Sequence, residues 1–153
     1  MSYKEDRIAQ LIKEGNIPLR NIEDTSLIPE KIDVESFKKL AIIKNNIARF
    51  VNDGFNLLIY SDNPGNGKTT WASKIGLAYI DYVAAYATEK PFLYLNLPLF
   101  LSEKKANIQD KSLSEEIDRK EALIREARLV IFDDIGVRGL SEFEKQLFYT
   151  WIE

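Results

Sequence analysis

The sequence contains neither cysteine nor histidine. Without cysteine the chain can form no disulfide and no thiolate zinc site, and without histidine it has no Ser-His-Asp triad and no imidazole metal ligand. Its chemistry is restricted to carboxylates, lysine, hydroxyls, backbone amides and hard, oxygen-bound metal ions. The 24 acidic residues outnumber the 21 basic ones, so the chain lacks the overall basic charge typical of nucleic-acid binding.

Long apolar runs are also missing. The charged residues from Lys4 to Arg7 interrupt the start of the chain, so we expect no signal peptide. No segment approaches the roughly 20 apolar residues of a membrane span. We therefore expect a cytoplasmic protein without a membrane partner. The length of 153 residues and the hydrophobic content of 45% predict one globular domain with a real core.

Apolar periodicity divides the chain into alternating helices and strands. Short continuous apolar runs predict strands over 57–60, 92–96 and 129–132. Helical spacing of apolar residues, together with capping boxes at Ser112/Glu115 and Ser141/Glu144, predicts helices. These helices are expected over 3–14, 34–53, 68–88, 99–105, 112–127 and 141–153. The alternation predicts an α/β fold with a mostly parallel sheet.

A glycine-rich loop between the first predicted strand and the next helix has the pattern of a phosphate-binding loop. Lys68 can reach the β- and γ-phosphates of a nucleotide, and the hydroxyl of Thr69 can ligate Mg²⁺. Asp62 departs from the motif, which has glycine there, and a chance Gly-Lys-Thr after a turn is the alternative. The candidate nucleotide contacts are Asn63, Pro64, Gly65, Asn66, Gly67, Lys68, Thr69 and Thr70.

The third predicted strand ends in a pair of acids, the pattern of a Walker B motif. Asp133 would hold Mg²⁺ and Asp134 would polarise an attacking water, which makes Asp134 and Lys68 the candidate catalytic residues. The alternative is a buried strand that meets solvent at two aspartates. Asn96 ends the middle strand at the same sheet edge, where it either positions water or phosphate or caps the next helix.

Four stretches carry a resemblance to a known family: 15–20, 56–60, 71–72 and 130–136. Together with the phosphate loop they resemble the AAA+ domain of DnaC/DnaI-type replicative helicase loaders from bacteria or phages, with the IstB-type transposition ATPases as relatives. The resemblance implies a P-loop NTPase of three α/β/α layers, with an entry segment over 1–33 and a nucleotide-binding core over 34–153. It also implies that the last strands, the sensor and the arginine finger follow Glu153.

The resemblance further implies binding of ATP or ADP with Mg²⁺, and an ATPase activity that is weak without a neighbour's arginine finger. Its implied partners are a replicative helicase, single-stranded DNA during replication initiation, and further copies of the chain. By analogy Ile17, Pro18 and Leu19 line the adenine pocket, although ordinary packing explains them equally well. A DNA-contacting helix would correspond to 99–111, with Lys104, Lys105 and Lys111, although basic and acidic residues are balanced there.

Two other functions remain open at this point. The chain could be a non-hydrolytic nucleotide-binding module that occupies or inhibits a helicase or loader. It could also be an IstB-like helper of transposition. The zinc-bearing N-terminal module of DnaI-type loaders is not expected, because the sequence has no cysteine or histidine to bind zinc.

Overall fold

A computed structural model describes residues 2–18, 27–65, 67–85, 92–136 and 139–153. Leu19 and Asn66, two of the candidate nucleotide contacts, lie outside these residues, as does the end of the helix expected over 68–88. The helices are α1 (Tyr3–Glu14), α2 (Val34–Asn45), α3 (Ile47–Asn52), α4 (Lys68–Val83), α5 (Leu97–Asn107), α6 (Ser114–Glu126) and α7 (Glu142–Ile152), with a 3₁₀ turn over Lys111–Leu113. The strands are β1 (Phe92–Asn96) and β2 (Leu129–Asp133).

The two strands pair in parallel, with Phe92 opposite Leu129 and Asn96 opposite Asp133. The connection between them runs through α5, the 3₁₀ turn and α6, as a parallel pair requires. The prediction of a mixed α/β protein with parallel strands is therefore confirmed. The described residues contain this two-stranded sheet and no other.

Helices cover both faces of β1, because successive strand residues point to opposite sides. Phe92 and Tyr94 join an apolar cluster with α1 and α4. Leu93 and Leu95 join a second cluster with Phe100 and with residues of α6. The core thus lies in two parts, one on each face of the sheet.

Gly76 allows α4 to lie directly against the sheet. A Cβ atom built on Gly76 would stand 2.9 Å from Cζ of Phe92 and 3.1 Å from Cδ1 of Ile131. On the outer edge of β1, the N–H of Tyr94 donates to the carbonyl of Gly15 at 2.7 Å. These contacts fix β1 between α4 and the end of α1.

The helix predictions hold in general and fail at some ends. The expected capping box of Ser141 with Glu144 is present. The box expected at Ser112 does not form, because Asp110 accepts from the N–H of Ser112 and α6 begins at Ser114. The helix expected over 34–53 divides at Asn46 into α2 and α3. Among the helices of the described residues, none is both long and apolar enough to cross a membrane.

The strand expected over 57–60 does not form, and this prediction was wrong. The segment has no regular structure, and the side chains of Leu58 and Tyr60 are 78% and 73% exposed. An extended segment gains ladder hydrogen bonds only from a neighbouring strand. The sheet of the described residues consists of β1 and β2 alone, and residues 57–60 do not pair with either of them.

The difference in burial between β1 and the segment 57–60 can be tested by truncating one leucine in each. Leu93→Ala should lower the free energy of unfolding by about 2–5 kcal/mol, since Leu93 is 0% exposed and its loss leaves a cavity. Leu58→Ala should change it by less than about 0.5 kcal/mol. Chemical denaturation measures both, and equal losses would show that Leu58 is buried after all.

Candidate functional site

The glycine-rich loop precedes α4 and has the backbone conformation that its glycines permit. Gly65 and Gly67 have φ angles of +77° and +85°. Only glycine adopts this left-handed region without a steric cost, so both motif glycines have a conformational reason to be there. The loop therefore turns sharply before the helix begins.

The N-terminus of α4 faces this turn and has no side-chain cap. Gly67 is the cap residue; its carbonyl accepts from the N–H of Trp71 at 2.8 Å. The N–H groups of the first helical turn, from Lys68 onward, have no acceptor inside the helix. Together with the helix dipole they attract an anion to this point.

The Lys68 side chain folds back over the loop. Its Nζ donates to the carbonyl of Asn63 at 2.9 Å and lies 3.5 Å from the carbonyl of Ser61. The ammonium thus sits on the loop's own backbone, half-buried. A phosphate entering the loop would offer this cation a charged acceptor, and charge-assisted hydrogen bonds are the stronger kind.

Asp62 stands where the motif has its first glycine, and its carboxylate accepts a hydrogen bond from the hydroxyl of Tyr60. This hydrogen bond raises the pKa of Tyr60 above its usual value. The carboxylate of Asp62 therefore has its hydrogen-bond donor two residues away in the same segment. Both side chains are exposed, so the contact is a local one.

The two sequence motifs meet at the carboxyl end of β2. The hydroxyl of Thr69 donates to Oδ1 of Asp133 at 3.2 Å, although the two residues are 64 positions apart in the chain. The N–H of Asp134 donates to the same oxygen at 2.9 Å. The first turn of α4 and the end of β2 thus form one polar site.

Tyr94 belongs to this site and was missed by the sequence analysis. Its hydroxyl donates to Oδ2 of Asp133. Burial, and then the hydrogen bond to Asp133, raise the pKa of Tyr94 well above its usual value, so the phenol remains a donor at neutral pH. Its position two residues before Asn96, on the same face of β1, was the signal available in the sequence. Ser73 lies fully buried one turn after Thr69.

Asn96 caps the next helix, one of the two roles that the sequence left open, and it also contacts Asp134. Its Oδ1 accepts from the N–H of Leu99 at 3.0 Å and caps α5. Its Nδ2 donates to Oδ2 of Asp134 at 2.6 Å. Asp134 itself is exposed and has a φ of +61°, a left-handed conformation that is uncommon outside glycine. The side chain of Asp134 is therefore held at the open end of the site.

The donor set of this site suits a hard cation such as Mg²⁺. Thr69 and Asp133 supply a hydroxyl and a carboxylate, the hard oxygen ligands that Mg²⁺ prefers. The part of the chain that the structure describes has no group of three or more His, Cys, Asp or Glu that could hold a metal. A Mg²⁺ ion would thus need phosphate and water oxygens as well, which is its usual mode of binding with nucleotides.

Of the residues expected in the adenine pocket, the structure describes Ile17 and Pro18, and neither of them lines the cleft beside the phosphate loop. Ile17 is buried in the core, and Pro18 lines a cleft of 190 Å³ that it shares with Asn96. A different cleft, of 260 Å³, adjoins the loop and is lined in part by Phe37, Tyr60, Lys68 and Trp71. The indole N–H of Trp71 has no partner among the described residues.

The expected DNA-contacting helix is tied to its neighbour by ion pairs. Lys104 of α5 pairs with Glu121 of α6, and Lys120 of α6 pairs with Glu103 at 3.0 Å. All four of these side chains are largely buried, so Lys104 is not displayed to solvent as the DNA hypothesis requires. Lys105 and Lys111 remain exposed.

No protein-family model, curated protein or solved structure matches the chain significantly. The assignment of a function therefore depends on the residues and on their geometry. In that geometry, Thr69, Asp133 and Asp134 come together with Asn96 and Tyr94 at one end of the sheet. Lys68 precedes Thr69 in α4, and its side chain contacts the loop.

Neighbouring lysines of α5 provide a matched test of the ion pair. Lys104→Ala should lower the free energy of unfolding by about 1–3 kcal/mol, because it leaves the largely buried Glu121 without its partner. Lys105→Ala, at an exposed position, should change it by less than about 0.5 kcal/mol. Chemical denaturation compares the two, and equal effects would argue against a structural pair.

Proposed function

We propose that this chain binds ATP or ADP with Mg²⁺ as the nucleotide-binding part of an AAA+ ATPase similar to DnaC-type helicase loaders. The observation that carries the proposal is the hydrogen bond between Thr69 and Asp133. In a phosphate-loop protein these two side chains must meet, because both serve the same metal ion. A chance Gly-Lys-Thr sequence has no reason to lie against an acid 64 positions away.

Three further features of the backbone support a P-loop fold of α/β/α layers. The loop glycines are left-handed, the helix that follows has an uncapped N-terminus, and helices cover both faces of β1. The carboxyl ends of both strands meet at the edge where the loop lies, and ligands of open α/β sheets bind at that edge. The full three-layer architecture is part of the proposal.

The proposed reaction is phosphoryl transfer from ATP to water. Lys68 would leave the loop carbonyls and neutralise phosphate charge, and the first-turn N–H groups of α4 would hold the phosphate oxygens. Bound Mg²⁺ would supply further charge neutralisation. Asp134, held by Asn96, would orient the attacking water with its other oxygen. Without an arginine finger, which supplies about 10³–10⁵ in rate, turnover should be slow.

The proposed cellular role rests on the family resemblance. The chain would act in the cytoplasm, during replication initiation, on a replicative helicase and single-stranded DNA, and would associate with other copies of itself. Because Lys104 is paired, DNA contact through α5 would depend on Lys105 and Lys111. A non-hydrolytic module on a helicase or loader, or an IstB-like transposition helper, would use the same nucleotide site.

Replacing Lys68 tests the nucleotide site. Lys68→Ala should abolish measurable binding of Mg²⁺-ATP, because the cation that meets the phosphates is lost. Titration of a fluorescent ATP analogue measures the affinity. Lys74→Ala, in the same helix but two turns further on, is the matched control and should bind like the wild type. Retained affinity in Lys68→Ala would refute the phosphate-loop assignment.

Replacing Asp134 separates an enzyme from a binding module. Asp134→Asn should bind ATP as the wild type does but lose turnover stimulated by single-stranded DNA and helicase, since an amide cannot accept a proton from water. Phosphate release measures the rate. If the wild type binds ATP tightly and never hydrolyses it, the non-hydrolytic module is the better description. Pull-down of a transposase instead of a helicase would favour the IstB-like role.

A further inference from the structure

We propose that Tyr94 is a positioning residue that holds the carboxylate of Asp133 in the orientation needed for Mg²⁺. The inference rests on the proposed nucleotide function and adds to it a residue that no motif contains. It concerns the metal-dependent part of nucleotide binding, since Tyr94 bonds to Asp133 and lies on the buried side of it.

The two oxygens of the Asp133 carboxylate have separate partners. Oδ1 accepts from the hydroxyl of Thr69 and from the N–H of Asp134, at 3.2 and 2.9 Å. Oδ2 accepts from Tyr94. Rotation of the carboxylate would break bonds on both sides, so its plane is fixed by three donors.

The same hydrogen bonds also orient the hydroxyl group of Thr69. A threonine hydroxyl has one proton and two lone pairs, and here the proton is given to Asp133. The lone pairs are thus left for a cation. If Asp133 turned away, the hydroxyl would lose this acceptor and its own orientation. Tyr94 therefore acts on both expected metal ligands through a single oxygen.

Tyr94 is rigid enough for this task. Tyr94 is only 3% exposed, and its ring packs in the cluster with α1 and α4. Its backbone N–H donates to the carbonyl of Gly15. The hydroxyl therefore has a fixed position on β1, opposite the end of β2. Residues that orient metal ligands in this way typically contribute about 10–100-fold to metal affinity.

The test compares nucleotide affinity with and without Mg²⁺. For each variant, the dissociation constant of a fluorescent ADP analogue is measured in EDTA and in excess Mg²⁺, and the ratio gives the gain from the metal. Tyr94→Phe keeps the ring and removes the hydroxyl. It should reduce this gain about tenfold and leave the affinity in EDTA unchanged. Tyr79→Phe, which alters another buried tyrosine of the same cluster, should leave the gain as in the wild type.

A double-mutant cycle shows whether Tyr94 acts through Asp133. Asp133→Asn alone should reduce the Mg²⁺ gain. Adding Tyr94→Phe to it should reduce the gain no further, because residues that act as one unit are not additive. Independent, additive losses would contradict a role through Asp133.

The remaining outcomes distinguish this inference from the proposed function. The proposed function fails if the wild type binds no nucleotide, or if its affinity is no higher than that of Lys68→Ala. In either case this inference fails as well. If the wild type gains affinity from Mg²⁺ and Tyr94→Phe gains as much, only the role of Tyr94 is overturned. An equal loss in EDTA and in Mg²⁺ would also overturn it, because it would show a purely structural effect.

Discussion

The hydrogen bond from Thr69 to Asp133 depends on how three elements are stacked. The parallel register of β1 and β2 brings Asn96 and Asp133 to the same edge of the sheet. Gly76 lets α4 lie close enough to the sheet for its first turn to reach that edge. The bond is therefore a result of strand register and helix packing, and the candidate metal site depends on it.

The site also contains a partly buried negative charge, the carboxylate of Asp133. A carboxylate removed from water is costly unless it is hydrogen-bonded. Asp133 is half-buried and receives donors from a helix, from β1 and from its own neighbour. Asp134 is exposed and receives one from Asn96. The two acids thus have different surroundings, in keeping with the different roles proposed for them.

Sequence patterns could predict those parts of the molecule whose structure is decided locally. Examples are the apolar runs of β1 and β2, the glycines of the loop and the capping box of Ser141. The run over 57–60 is equally apolar, but its burial depends on a neighbouring strand that a local pattern does not contain. The sequence of the entry segment does not distinguish a pocket residue from a core residue at Ile17, which is buried in the core cluster. The role of Tyr94 depends on strand register, which no motif reports.

The resting position of Lys68 affects how any ligand enters the loop. Its ammonium already donates hydrogen bonds to the carbonyls of Ser61 and Asn63. The Lys68 side chain therefore holds the loop together before any ligand binds. Binding of an anion is then an exchange of hydrogen bonds, and the net gain from each exchanged bond is only about 1 kcal/mol. Selection among anions would depend on how many acceptors each offers at once. The proposed triphosphate ligand would offer more acceptors than a single phosphate.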